Sequence, residues 1–226
     1  KTVRRQRQMC IRDSNSVVAV VGEYEDKGVV YGRGLQKVTV LEDDFGRFIQ
    51  ASAVCYDKEA AELVVGDDAK DMAIRGYSPV RFVKKYMGTQ EVFRVGEEDW
   101  SAQKVSAKVL ERMMWIVENS LGEKPKRAIV THPAYFDALA INATREAAEL
   151  AGLDVTDGLM MEPIAAAMAY TQGDDRSQIR VLVYDLGGGT FDITLVDRTS
   201  GSFKPLAFGG NRELGGYNFD KKIATK

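Results

Sequence analysis

The sequence predicts an α/β fold, and the order of its hydrophobic patterns carries that prediction. A β-rich region opens at Ser16 with the apolar run SVVAVV and continues through VVYGR and FIQASAVCY. Helical and strand patterns then alternate, and strand patterns return from residue 181. Short apolar blocks favour strands, whereas apolar residues spaced three and four apart favour helices. This order, in which strands are followed by alternating helices and strands and then by strands again, is typical of sheets covered by helices.

The later elements are bounded by residues that commonly begin or end helices. After the opening strands we expect, in order, a helix over 67–75, a helix over 80–87 begun by Ser78-Pro79 and ended by Gly88, a helix from Ser101 to Gly122, a strand over 128–131, a helix over 136–151 ended by Gly152, a short apolar segment after Glu162-Pro163, strands over 181–184, 191–196 and 203–208, and a helix from about Tyr217.

The composition excludes several classes of function. The chain has 226 residues, with 31 Lys and Arg against 33 Asp and Glu, one histidine and two cysteines. A formal net charge of −2 argues against general nucleic-acid binding. Cys10 and Cys55 cannot build a disulfide framework, and His132 cannot build a histidine cluster for a metal. Since no apolar run approaches the ~18 residues of a membrane span, we expect no membrane partner and a cytoplasmic location.

Residues 1–14 differ from the rest of the chain in charge and in pattern. They hold five basic residues against Asp13 alone, a charge of +4, which leaves −6 for the remaining residues. They show neither an apolar periodicity nor the apolar stretch of a secretion signal. A basic arm for RNA or anionic lipid is one interpretation, but no aromatic residues are interleaved with the arginines. We therefore expect a disordered or foreign leader.

Glycines cluster late in the sequence, where eight of the 21 lie between residues 187 and 216. In the segment VYDLGGGTFDITLVD, a predicted strand ends at Asp185, Gly187–Gly189 form a tip, and the next strand carries Thr190 and Asp192. Backbone amides of glycines, with no side chain in the way, can converge on phosphate oxygens, while a hydroxyl and carboxylates suit hydrated Mg²⁺. The sequence contains no P-loop motif, and a strand follows the glycines where a dinucleotide fingerprint has a helix. A plain glycine-rich hairpin is the competing interpretation.

Five motifs in sequence order resemble the seventy-kilodalton heat-shock chaperone family. They are VGDDAKDMA at 65–73 with VKKYMG at 83–88, VTHPAYF at 130–136, MEPIAAAMAY at 161–170, DLGGGTFD at 185–192 and LGGYNFD at 214–220. The glycine motif alone would indicate only the wider actin-like ATPase superfamily. PAYF together with VKKYMG resembles the chaperone branch, and the resemblance runs from about Asn15 to the last residue.

The resemblance implies an actin-like ATPase (ribonuclease H-like) fold, in which two lobes clamp ATP between them. By this resemblance residues 15–178 form the first lobe, nearly complete, with about 38–108 as its peripheral subdomain. Residues 179–226 are the start of a truncated second lobe. The rest of that lobe and the peptide-binding domain of the family then lie outside the sequence.

Carried over by position, the resemblance also implies a site for ATP and Mg²⁺. Lys84 would contact the γ-phosphate and orient the attacking water, and Glu162 would lie near the metal and that water. Asp185 and Asp192 would hold the water shell of the metal or position the attacking water. The residues that would line the phosphates are Gly187, Gly188, Gly189, Thr190, Gly215 and Gly216. Without the resemblance, Lys84 would be interpreted as a solvated lysine and Glu162 as a helix start.

The sequence departs from the family at the first phosphate-binding hairpin. Residues 10–14 read CIRDS where the family has DLGTT, so that Ser14 alone keeps a phosphate-side hydroxyl. The segment MCIRDS at residues 9–14 looks like a translated adapter or assembly scar, which is why we interpret the leader as foreign. His132 replaces a valine, and we expect a packed neutral imidazole there. Ile141 stands where the family has an arginine that relays nucleotide state between domains together with Pro133.

The resemblance implies an ATP-hydrolysing chaperone motor, present as a fragment. Its partners would be unfolded client peptides, a J-domain co-chaperone and a nucleotide-exchange factor. An actin-like scaffold that binds nucleotide without turnover is the alternative, whereas no acceptor pocket of a sugar or acetate kinase is recognisable. Because one phosphate clamp is altered, we expect this chain to bind ATP weakly or not at all.

Overall fold

The computed structural model describes residues 7–11, 14–22, 24, 27–31, 37–156 and 158–225, with the backbone alone at 7–11 and 31. The strands are β1 (Arg7–Ile11), β2 (Asn15–Val21), β3 (Gly28–Tyr31), β4 (Val38–Leu41), β5 (Gln50–Ala51), β6 (Ala53–Asp57), β7 (Glu62–Val65), β8 (Val80–Arg81), β9 (Val92–Val95), β10 (Glu98–Ser101), β11 (Ile129–His132), β12 (Leu159–Met161), β13 (Gln178–Leu186), β14 (Phe191–Thr199) and β15 (Ser202–Asn211). The α-helices are α1 (Asp67–Asp71), α2 (Ala102–Leu121), α3 (Ala138–Leu150), α4 (Glu162–Tyr170) and α5 (Gly216–Ala224), and turns of 3-10 helix span Met72–Arg75 and Val83–Tyr86.

The largest sheet of the described residues has seven strands, in the order β12-β11-β1-β2-β4-β3 with β5 paired to β2. β1 runs parallel to β11 and antiparallel to β2, and β11 runs parallel to β12. His132 and Met161 are register partners at the carboxyl ends of β11 and β12. Side chains that follow these two strands are therefore brought to one edge of the sheet.

The expectation of a leader without regular structure is wrong for Arg7–Ile11. These residues form β1, a central strand whose backbone pairs with β2 on one side and with β11 on the other. Pairing on both sides satisfies the backbone groups of a strand whatever its local hydrophobic pattern, and such partners are invisible in the local sequence. Residues 1–6 and 12–13 lie outside the described residues, and the native or foreign origin of 1–14 stays a prediction.

Two helices cover the sheet and build the core, as the sequence predicted. α2 begins after Ser101, whose side chain accepts a hydrogen bond from the Lys104 amide at 3.2 Å, and it ends at Gly122 with φ 70°. One apolar face of α2 is buried, with residues Ala102, Val105, Val109, Met113, Ile116 and Val117. α3 packs beside α2 and begins after Asp137, which caps the Ala140 amide at 2.9 Å. No helix in the described part of the chain is both long and apolar enough to cross a membrane.

The helix predicted over 80–87 is wrong. Val80 and Arg81 instead form β8, which pairs with β6, and Val83–Tyr86 form a single 3-10 turn. Phe82 joins the two with φ 58° and ψ 27°, a left-handed conformation that bulky side chains rarely adopt. Pairing with a strand distant in sequence outweighs the local Ser-Pro helix signal, and Lys84 consequently lies on a short turn.

A separate meander of three strands, β13-β14-β15, forms the C-terminal part of the described chain. β13 and β14 pair over nine residues each, from Gln178–Thr199 to Leu186–Phe191. α4 packs against all three strands, and α5 follows the last of them. This arrangement agrees with the predicted recurrence of a strand meander, and the family-based boundary between lobes at 178/179 stays a prediction.

Asp43 organises the segment that joins β4 to β5 and ties it to α2. Its Oδ1 accepts the backbone amides of Phe45 and Arg47 at 2.9 Å each, while its Oδ2 accepts Arg47 Nε at 2.8 Å and Gln50 Nε2 at 2.9 Å. Arg112 of α2 lies 3.7 Å from the same oxygen. Burial opposes ionisation of this carboxyl, but the hydrogen bonds from Arg47, Phe45 and Gln50 outweigh burial and lower its pKa to about 2.

Asp43→Asn should reduce the loss of stability in acid. Because the folded pKa of about 2 lies below the usual 3.8, the contribution of Asp43 is present above pH 4 and is lost as the pH falls toward 2. The wild-type free energy of unfolding should therefore fall more than that of the variant, by about 2 kcal/mol between pH 5 and 2. Urea denaturation over this range measures the difference. Asp71→Asn, on the exposed face of α1, is the control, and equal pH dependence in Asp43→Asn and wild type would contradict the assignment.

Candidate functional site

The glycine loop between β13 and β14 is held in close contact with a second glycine turn after β15. A Cβ added at Gly215 would lie 2.5 Å from the amide nitrogen of Gly189 and 2.6–2.7 Å from the carbonyl of Gly188. Gly215 has φ −168°, an extended conformation open to any residue, so close approach alone explains the glycine. The predicted phosphate-lining glycines of the two motifs are thus brought together as backbone packed on backbone.

Hydrogen bonds fix this contact at the start of α5. The Gly216 amide donates to the Gly187 carbonyl at 3.0 Å, and the Tyr217 amide donates to the Gly188 carbonyl at 2.8 Å. The first amides of a helix have no partner within the helix, and here the glycine loop supplies the acceptors. Gly187 in turn donates its amide to the Thr190 carbonyl at 2.8 Å, which closes the tip.

Ser14, which stands where the first hairpin of the family has its second threonine, also lies against the loop. A Cβ added at Gly188 would lie 2.4 Å from Ser14 Oγ. The position of Ser14 is fixed through its carbonyl, which accepts the Ser52 amide at 2.9 Å. The structure thus brings Ser14 against the glycine loop, and a phosphate-binding role for its hydroxyl stays a prediction. Arg12 and Asp13 lie outside the described residues.

Two carboxylates face each other at the base of the loop. Asp185 and Asp192 are direct register partners of β13 and β14, and both are half-buried. Side chains of such partners share one face with Cβ atoms about 5 Å apart, where like charges repel. The buried Thr190 hydroxyl lies 3.3 Å from Asp192 Oδ2 and donates to it. A cation between the carboxylates would relieve their repulsion, so this pair fits a divalent metal or its water shell.

Lys84 and Glu162 form a largely buried ion pair. Lys84 Nζ lies 2.5 Å from Glu162 Oε1, and the two side chains are 8% and 15% exposed. The sequence separates them by 78 residues; the 3-10 turn delivers the lysine, and the first position of α4 delivers the glutamate. Lys84 also lines a small cavity of about 20 Å³ beside Thr131 and Phe136. The prediction of an ordinary solvated lysine is thereby excluded.

Phe82 and Tyr217 are site residues that sequence reasoning missed. Their ring centroids lie 5.2 Å apart, and Phe82 Cε1 lies 4.0 Å from the position of a Cβ on Gly188. The pair therefore connects the turn carrying Lys84 to the glycine loop and to α5. The left-handed backbone of Phe82 is strained, a feature that occurs often at functional sites. The helix predicted over 80–87 gave no reason to expect a left-handed residue at Phe82.

His132 is the packed neutral imidazole that the sequence predicted. It is 5% exposed and stacks on Phe136 at 6.1 Å. Burial lowers its pKa, while the carbonyl of Pro133 and the charge of Glu162 raise it and the charge of Lys84 lowers it further. Since a carbonyl can only accept, Nδ1 carries the proton that it shares with the Pro133 carbonyl at 2.9 Å.

Pro133, the predicted relay residue, does not join the glycine loop. Its carbonyl accepts the Phe136 amide at 3.4 Å as well as the His132 proton, which shapes a tight turn at the end of β11. Ile141 lies on α3, with its amide bonded to the Asp137 carbonyl. The relay between domains stays a prediction.

The acidic groups of the site do not form a complete metal cage. Among the described residues no group of three or more histidine, cysteine, aspartate or glutamate side chains is placed to hold a metal ion. Mg²⁺ commonly keeps several waters and binds through one or two carboxylates together with the phosphates of a substrate. Asp185 and Asp192 fit that mode of binding.

The chain is similar to proteins of one family. The family model described as Hsp70 protein matches residues 79–226. The chaperone protein DnaK of Mycoplasmoides gallisepticum is 38% identical over 194 residues, which cover 84% of this chain and 32% of the relative. DnaK of Mycoplasmopsis agalactiae is 34% identical over 210 residues, covering 93% and 33%, and DnaK of Ureaplasma parvum is 36% identical over 210 residues, covering 93% and 32%.

The fold and the two glycine motifs define an α/β actin-like ATPase fragment, in agreement with the predicted fold class. The chain belongs to the Hsp70 family, as its motifs indicated. It spans about a third of the length of the curated relatives that it matches.

Gly215→Ala should damage the site, because its Cβ would meet backbone that cannot rotate away. We expect a loss of about 2 kcal/mol in the free energy of unfolding, measured by urea denaturation. Gly209→Ala is the matched control, since a Cβ there would lie 3.8 Å from Ile193, an ordinary contact. Gly188→Ala should also be destabilising, because a Cβ there would lie 2.8 Å from Ser14 Cβ as well as 2.4 Å from Ser14 Oγ, and rotation of the hydroxyl relieves only the second contact. Equal stability of the Gly215 and Gly209 variants would contradict the described contact.

Proposed function

We propose that this chain is the ATP-binding and ATP-hydrolysing part of a molecular chaperone. The observation that carries the proposal is the contact of Gly188 and Gly189 with Gly215 beside the opposed Asp185 and Asp192. Backbone without side chains lets phosphate oxygens approach closely, and the carboxylates next to it suit a hydrated metal. Membership of the Hsp70 family supports the same function.

The charges of the site require a divalent cation. Among the site residues that the structure describes, Lys84 contributes one positive charge against three carboxylates, those of Glu162, Asp185 and Asp192. A site with this balance repels a triphosphate unless a cation accompanies it. Mg²⁺, when bound with ATP, neutralises charge on the phosphate oxygens. We therefore assign Asp185 and Asp192 to the water shell of Mg²⁺ and the glycines with Thr190 and Ser14 to the phosphates.

Lys84 and Glu162 are proposed as the hydrolytic pair. A buried ammonium aimed at the transferring phosphoryl group offsets the charge that develops on it, and this effect is large where water is excluded. Glu162 can hold the lysine in place and accept a hydrogen bond from the attacking water. The short ion pair and the low exposure of both side chains support these roles.

For the longer protein we propose the general activity of the family. Its partners would be unfolded client peptides, a J-domain co-chaperone and a nucleotide-exchange factor, in the cytoplasm. A scaffold that binds nucleotide without turnover is less well supported, because the chain keeps all four groups assigned to hydrolysis: Lys84, Glu162, Asp185 and Asp192.

Binding of ATP should be weak and should depend on Mg²⁺. Isothermal titration of the chain with ATP should give a dissociation constant between about 100 μM and 1 mM with Mg²⁺ and no measurable binding in excess EDTA. Asp192→Asn should weaken binding about tenfold or more, because it removes one of the two facing charges. Asp197→Asn, farther along β14, is the control. Equal affinity with and without Mg²⁺, or no binding at 1 mM, would refute the proposal.

In a longer protein whose first phosphate-binding hairpin is intact, Lys84→Ala should abolish most of the hydrolysis and leave nucleotide binding in place. We expect the single-turnover rate to fall by about 100-fold or more, because charge stabilisation of the phosphoryl group is lost. Lys85→Ala is the matched control on the same turn. Circular dichroism checks folding, and Lys84→Arg, which keeps the charge, gives a second variant. A rate unchanged in Lys84→Ala would remove Lys84 from the mechanism.

A further inference from the structure

One side chain bridges the C-terminal meander and the seven-stranded sheet next to the candidate site. Arg212, directly after β15, donates from a guanidinium nitrogen to the carbonyl oxygen of Tyr135 at 3.2 Å. The guanidinium carbon lies 4.6 Å from the centre of the Tyr135 ring. Arg212 therefore makes a hydrogen bond and a cation–π contact to one residue, 77 positions earlier in the sequence. A planar guanidinium can stack on a ring and donate a hydrogen bond from its edge at the same time.

The two ends of this contact belong to turns that carry the site. Arg212 lies three residues before Gly215, and its turn is shaped by the side chain of Asn211, which accepts the Glu213 amide at 2.8 Å. Gly215 is in contact with Gly188 and Gly189. Arg212 is thus placed to hold the glycine turn from its amino-terminal side.

Tyr135 lies in the turn that follows β11. The ring of Tyr135 meets Phe136 edge-on at 5.5 Å, and Phe136 stacks on His132, the last residue of β11. β12, the neighbour of β11, ends immediately before Glu162. The contact consequently joins the glycine turn to the edge of the sheet that carries the Lys84–Glu162 pair.

We propose that Arg212 is a latch that holds the glycine turn of the meander against the seven-stranded sheet, and that it sets how quickly a bound nucleotide leaves. Release of phosphates from the glycine loop requires the turn at Gly215 to move, because the two loops are in backbone contact. The Arg212–Tyr135 contact must break when this turn moves away from β11. The effect on nucleotide release rests on the proposed function, whereas the latch between the glycine turn and the sheet does not.

Hydrogen exchange of the whole chain without nucleotide tests the latch directly. The amides of Gly216 and Tyr217, which are bonded to the glycine loop, report opening of the turn. Arg212→Ala should speed their exchange about two- to fivefold, the effect expected from loss of an exposed cation–π contact. Tyr135→Ala removes the ring but keeps the carbonyl, so it should speed exchange less than Arg212→Ala, and the double variant should exchange like Arg212→Ala. Tyr135→Phe keeps the ring and the carbonyl and should exchange like wild type.

Arg180→Ala is the matched control for this experiment. Arg180 is also an arginine of the meander, but it pairs with Asp197 within the same sheet at 3.4 Å. Its removal should leave the exchange of Gly216 and Tyr217 unchanged. If Arg212→Ala leaves these amides unchanged, or if Arg180→Ala accelerates them equally, the latch is overturned.

The effect on nucleotide is measured separately by stopped-flow displacement of a fluorescent ATP analogue with Mg²⁺. Arg212→Ala should raise the dissociation rate about two- to fivefold with little change in the association rate, because the latch acts on the closed state. An unchanged dissociation rate with faster exchange would overturn its role in release and keep the latch. Failure of the wild-type chain to bind any analogue would instead refute the proposed function, while the exchange result would still decide the latch.

Discussion

Contact between two backbones without side chains is the constraint on which the arrangement of the site depends. Gly188 and Gly189 on one turn and Gly215 on another approach so closely that no Cβ fits at Gly215 without moving main-chain atoms. Because main chain meets main chain, the amides at the start of α5 reach the carbonyls of Gly187 and Gly188. Ser14 and Phe82 pack on the same glycine loop from other elements.

Charge is distributed around this contact in two unlike ways. The opposite charges of Lys84 and Glu162 compensate each other and are largely shielded from water. Separating them would leave buried charges and cost much free energy, so the pair is held firmly in place. Asp185 and Asp192 face each other across two strands and repel. The first arrangement holds the lysine in place, and the second leaves two like charges close together. A nearly neutral chain therefore contains a locally acidic cluster.

Much of this arrangement could be predicted from the sequence, because the relevant signals are local. Ser101 and Gly122 bound α2 through their own capping geometry, and the glycine hairpin carries its turn residues in a continuous run. These features need no knowledge of distant partners.

The features that escaped prediction all depend on residues far apart in the chain. β1 carries no local strand pattern and is defined by pairing with β2 and β11. β8 forms because β6 is its partner, which displaces the expected helix and leaves Phe82 in a left-handed conformation. The contact of Arg212 with Tyr135 likewise exists only in three dimensions, and a solitary exposed arginine gives no sequence signal of it.

The central position of β1 has a consequence for synthesis of the chain on the ribosome. β1 and β2 can pair as soon as both have emerged, but the parallel partner β11 begins only at Ile129. At translation rates of about 5–20 residues per second, one edge of β1 lacks its hydrogen-bonding partner for roughly 6–24 s. During this interval an open strand edge is available to other chains. A member of a chaperone family thus passes, while it is being made, through the exposed state from which chaperones protect other proteins.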